Sequence, residues 1–126
     1  MKHGASHETA HVGAMTTASG SGGAVAFRRE MERGMARMMR DMHAAGYSAN
    51  PDVDFLAMMI PHHAGAVDMA RLVLQYGRDP ATRMLAENVI ASQTTEIESM
   101  TRRLAALRVS DGGESEFPSL GGTRGP

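Results

Sequence analysis

Two short breaks, Gly46 to Asp52 and Gly77 to Asp79, divide an otherwise strand-free apolar pattern into three helical stretches. They constrain the fold more than any other feature of the chain. Gly46 ends the first stretch as a glycine just past a helix terminus does. Asn50-Pro51-Asp52 offers polar caps to the second stretch, and Asp79-Pro80 places a capping side chain before a proline at the first helical position of the third. Connections this short make neighbouring helices antiparallel, so the expectation is an all-α, up-down antiparallel helical bundle. Three helices leave one face open, which calls for a fourth element from the tail or from a second subunit in a homodimer.

Helical spacing assigns the faces. The first stretch, about Ala24 to Ala45, carries Ala24, Met31, Met35, Met38 and Met42 on one stripe and Arg29, Arg33, Arg37 and Arg40 toward the other. On the second, which ends at Gly77, a turn of about 100° per residue gathers Phe55, Met58, Met59, His62, Ala66, Met69, Ala70 and Val73 on one broad face. Ala57, Ala64, Asp68, Arg71 and Gln75 lie opposite. His62 falls near the centre of the apolar face and His63 at its flank, so at least one imidazole is expected in the core. The third stretch, to about Arg108, has the stripe Leu85, Val89, Ile97, Met100, Leu104 and Leu107, with Gln93 and Glu96 inside it. A carboxylate on a buried face needs a counter-charge or a ligand.

Glycine and proline cluster toward the two ends, which divides the chain into a flexible His/Gly/Ala/Ser-rich tail (1–23), a helical bundle domain (24–109) and a flexible C-terminal tail (110–126). A net charge of -1 supplies no basic surface for phosphates and argues against nucleic-acid binding. No run is long enough to span a bilayer or to act as a secretory signal after Met1-Lys2-His3, so no membrane insertion is expected and the chain reads as cytosolic or as a mature form. With Cys 0, disulfides, thiolate metal sites and cysteine nucleophiles are all absent. Methionine is the unusual residue: Met 12 outnumbers Phe 3, Tyr 2 and Trp 0 together. Thioethers are soft neutral ligands, and they are also flexible fillers of core gaps.

Pro61-His62-His63 carries the chemistry. Proline inside a helix removes a backbone hydrogen bond and crowds the preceding turn, and a buried imidazole needs a partner at each ring nitrogen. Met58 and His62, and Met59 and His63, are four residues apart, so each pair stacks on adjacent turns where one ion can meet both side chains. Met38, Met42 and His43 on the first helix, Met69 on the second, and Gln93, Glu96 and Met100 on the third are expected to approach the same bundle interior. Mixed imidazole and thioether donors select Cu(I), or Ag(I), over cations that prefer oxygen. The competing reading is a closed hydrogen-bond network of His62, His63 and Glu96 among packed methionines, with no metal at all.

His3, His7 and His11, followed by Met15, form a second candidate group that could wrap an ion or remain a solvated tail. Enzyme readings find less support. The paired Glu-x-x-His motifs of a di-iron bundle are missing, as are a nucleophile elbow and a Gly-rich strand-to-helix loop. A histidine phosphotransfer module is the alternative from another class, and it needs an exposed imidazole.

From Asp54 to Leu104 the chain resembles the domain of unknown function 305 family, small exported bacterial proteins with a Phe-x-x-Met-Ile-Pro-His-His signature. The matching residues are Phe55, Met59, Ile60, Pro61, His62 and His63, then Gly65 to Ala70, Asp79-Pro80, Gln93, Glu96-Ile97 and Met100. Ala64 stands where the family usually has Gln, and Arg103 where it usually has Trp. The resemblance implies a ferritin-like bundle, a periplasmic or secreted location and, for some members, binding of copper or silver, with His43, His62, His63, Asp68, Met69, Gln93, Glu96 and Met100 at the positions concerned. The expected function is therefore that of a non-enzymatic, exported Cu(I)-binding protein. Its metal donors are drawn from His62, His63, His43, Met42, Met59, Met69 and Met100, with Glu96 orienting an imidazole.

Overall fold

The computed structural model describes residues 6–116, with side-chain surroundings for 22–110. It is all-α: α1 (Ser6–Ala45), α2 (Pro51–Tyr76) and α3 (Pro80–Glu116). The helix boundaries inside the bundle follow the local chemistry. Gly46 takes φ 65° and returns its N–H to the His43 carbonyl at 3.2 Å, ending α1. The Asn50 side chain accepts from the N–H groups of Asp52 and Val53, so two donors at the start of α2 are satisfied. The Gly77 N–H closes α2 on the Val73 carbonyl at 2.7 Å, and Arg83 reaches back from α3 to the carbonyls of Leu74 and Gly77 at 2.7 and 2.9 Å. These contacts join the two helices at their turn and place a cation where the α2 dipole is negative.

Contacts along the helices confirm the antiparallel bundle. On one side of α2, Phe27 meets Tyr76 edge-on with ring centroids 6.0 Å apart, Arg37 pairs with Asp68 at 3.3 Å, and Met38 packs over Gly65. On the other side, Arg83 bonds near the end of α2 and Glu96 bonds His63 near its middle. Among the described residues α1 and α3 each pack on α2 and not on one another. The molecule is thus a three-helix layer with α2 in the centre.

That arrangement explains a core of small extent: Val53, Val67, Ala70, Ala86 and Leu104 are its buried apolar residues, and His63 is buried among them. It also corrects the helical-wheel reading of α2. Because α2 is gripped from both flanks, its buried residues are those facing the neighbours, Gly65 toward α1 and His63 toward α3. The broad apolar face lies between the two seams. His62 is consequently exposed, and Phe55 is 61% exposed.

The outer helices run further than the apolar pattern. α1 begins at Ser6 instead of near Ala24, and α3 continues past Arg108 to Glu116. The expected boundaries at 23/24 and 109/110 therefore fall inside helices. By the register of the α1–α2 contacts, the part of α1 before Phe27 overhangs the C-terminal end of α2. No helix among the described residues is long and apolar enough to cross a membrane.

Candidate functional site

The α2–α3 seam holds the one buried titratable side chain among the described residues. His63 is 8% exposed, and its Nε2 lies 2.5 Å from Glu96 Oε1. With Glu96 ionised, Nε2–H is the donor and the carboxylate accepts, so in the neutral ring the lone pair sits on Nδ1. That Nδ1 is buried without a hydrogen-bond partner, and so is Gln93 Oε1. Both unpartnered atoms belong to this seam: Gln93 lies one turn before Glu96 on α3. Native interiors leave few polar atoms in this state, and each one asks for a cause.

Met59 and Met100 flank the pair. Met59 precedes His63 by one helical turn and Met100 follows Glu96 by one; in an antiparallel pair both steps go the same way, so the two methionines are level with each other and next to the imidazole. Both are half-buried. Pro61 sits between Met59 and His63 in a helix that continues through it, and it leaves the Ala57 carbonyl without its usual donor.

The remaining expected residues do not join this seam. His62 is exposed, and its ring centroid lies 6.0 Å from that of His63 at an angle of 57°. Adjacent residues on a helix point about 100° apart, so two neighbouring imidazoles cannot both enter one seam. His62 is therefore outside the His63–Glu96 network. His43 is exposed on α1 and Met42 is half-buried there, on the far side of α2 from Glu96 and Met100. Met69 is half-buried at the α1 side, and Asp68 is taken by Arg37. The single convergent interior expected from the sequence is thus split in two by α2. Glu96 differs from its expected setting as well: its side chain is 60% exposed, reaching in from water to His63 instead of lying buried.

Among the described residues no three His, Asp or Glu side chains are grouped to hold a metal ion. A set of one imidazole and two thioethers is a different class of donor, soft and uncharged. His3 lies outside the described residues, and His7, His11 and Met15 lie on the α1 backbone where side chains are not described.

The feature that sequence reasoning missed is Gly65. Its missing side chain is what lets Met38 of α1 lie against α2: a Cβ built there would come within 2.9 Å of Met38 Cγ and 3.1 Å of its Cβ. A glycine inside a helix, disfavoured there unless something needs the space, was the available signal.

The family model described as "Domain of unknown function (DUF305)" matches residues 3–104. Uncharacterized protein L153 of Acanthamoeba polyphaga mimivirus is 39% identical over 49 residues, a stretch covering 39% of this chain and 32% of that protein. The chain therefore spans about a third of that relative's length. Since the family model takes in most of the helical layer, including His62, His63 and Glu96, the chain belongs to the DUF305 family.

Proposed function

We propose that this protein is an exported binder of monovalent copper, a sink or carrier without catalytic turnover, and that the ion is taken at His63. The observation that carries the reading is the buried Nδ1 of His63, which has no partner while Glu96 holds Nε2. Metal-ligating histidines commonly donate their second ring N–H to a carboxylate, which fixes the tautomer and raises the basicity of the ligating nitrogen. Glu96 is placed to do that for His63. Met59 and Met100 are the thioethers within one turn, and a donor set of this softness suits Cu(I) or Ag(I). Neutral imidazole and thioether ligands release few protons on binding near neutral pH, which favours reversible handover. A site free of cysteine also keeps its donors in the oxidising surroundings of an exported protein.

A second reading draws on the other unpartnered atom. If the imidazole is doubly protonated and Gln93 turns toward it, Nδ1–H donates to Gln93 Oε1 and the seam closes as a purely structural network. Titration separates the two. Cu(I) added under reducing conditions with a competing chromophoric chelator is expected to bind wild type, and to bind His62→Ala with little change. His63→Ala should lose about a hundredfold in affinity, and Glu96→Ala about tenfold, through the disoriented ring. Equal affinity in wild type and His63→Ala would rule out this site. No binding, and no rise in Tm on adding Cu(I), would favour the closed network, because a ligand of the native state must stabilise it.

A further inference from the structure

The apolar face of α2 is not used by either seam. Phe55, His62, Ala66 and Val73 lie a quarter-turn from both Gly65 and His63, so they point out of the three-helix layer on one side, between Met59 at the α3 seam and Met69 at the α1 seam. In right-handed helices laid antiparallel, the stripes of the neighbours come round to the same side. From α1 these are Met35 and Met39, 42% and 57% exposed, and from α3 Leu85, 64% exposed. The opposite side carries Arg33, Ala64, Arg71 and Gln75, all exposed to water. One side of the layer is therefore methionine-rich and apolar, and the other is solvated.

We propose that the apolar side is the docking surface for a second copy of this chain. Its size is right: α2 is 26 residues long, about 39 Å, and three helices about 9 Å apart give roughly 1,000 Å² per copy. A homodimer interface needs about 800 Å² or more from each partner. Remaining segments of the same chain are poor occupants. Residues 1–5 and 117–126 offer it little apolar surface: apart from Met1, Phe117 and Leu120 they are small or polar residues, glycine or proline.

Self-pairing also meets no electrostatic objection. The charges bordering the face are of both signs: the Arg28–Glu32 ion pair at one edge, and Glu96 with exposed Arg103 along the other. A two-fold axis makes the contact of residue i with j recur as j with i, so an edge of mixed charge can meet its own copy with unlike charges opposed. Docking would also explain the composition. Three apolar stripes that, among the described residues, leave no large side chain fully buried within one chain become the walls of a single core.

The test is the mass in solution of the full chain after chelator treatment, so that no metal links the copies. Wild type at micromolar concentration is expected to sediment at twice the chain mass of 13.4 kDa. Phe55→Glu should sediment at the chain mass with its helical circular dichroism retained. Gln75→Glu, on the solvated side, should stay at twice the mass. Met39→Lys is read in the same way as Phe55→Glu, so a folding defect at one position does not leave the question open. Wild type at the chain mass overturns the proposal and gives the face to another occupant, as does a dimer that neither Phe55→Glu nor Met39→Lys disturbs.

Discussion

The two flanks of α2 are built on opposite plans. Toward α1, contact is by close approach: Met38 fills the space that Gly65 leaves, Phe27 meets Tyr76 by its edge, and the Arg37–Asp68 pair sits half in water. Among the described residues nothing in that seam leaves a buried polar side-chain atom unsatisfied. Toward α3, contact is made around a buried imidazole with one nitrogen bonded and one open, beside a glutamine oxygen that is also open. The first plan is that of a joint. The second carries unsatisfied groups that a joint alone would not need, since an apolar replacement could pack as well without the desolvation cost.

The comparison breaks most visibly at Gly65. Gly65→Leu puts a branched side chain where Met38 lies, and overpacking of that kind costs about 3 kcal/mol, offset by about 1 kcal/mol from better helix propensity. Thermal denaturation should therefore show a net loss of about 2 kcal/mol. Met38→Ala in the same chain should recover much of it. Two losses that simply add would mean that the contact does not hold α1 to α2.

A smaller effect is expected across the other seam. His63→Leu removes the unpartnered Nδ1, keeps the apolar volume, and leaves Glu96 in water that already reaches most of its side chain. In metal-free protein, stability should change by less than about 1 kcal/mol in either direction. A loss of about 3 kcal/mol or more in metal-free protein would instead mark the imidazole as a structural member of a closed network.

This contrast also separates what the sequence discloses from what it conceals. Helix ends and antiparallel order were legible because Asn50, Gly46, Gly77 and Asp79 act on their own backbone neighbours, and local chemistry needs no tertiary knowledge. The partnership of His63 with Glu96 was legible as a set of residue types. Which histidine of the pair enters the seam was not. A helical wheel finds the most apolar direction, and that direction is buried only when one neighbour covers it. Here two neighbours grip α2 from its flanks, so the most apolar direction was left outward with His62 on it. The same geometry keeps Met42 and His43 away from Met100, a separation that no spacing rule along a single helix could reveal.

The smallest expected effect belongs to the turn that joins α2 to α3. Asp79 caps α3 by accepting from the Thr82 hydroxyl at 2.7 Å and from its N–H at 2.9 Å. Those two bonds, the hydroxyl first, favour the ionised form and lower the carboxyl's pKa. A pKa lower in the folded than in the unfolded chain means that the cap stabilises the fold above the ordinary carboxylate range. Its contribution then disappears as the pH falls through the folded value. Asp79→Asn keeps a side-chain oxygen able to cap but removes the titration. Melting temperatures followed from about pH 7 down to about pH 2.5 should therefore fall further for wild type than for Asp79→Asn, with the divergence beginning below about pH 4. Parallel curves would show that the Thr82 bonds are no stronger in the ionised state. The turn between α2 and α3 would then be held by Arg83 on the carbonyls of Leu74 and Gly77.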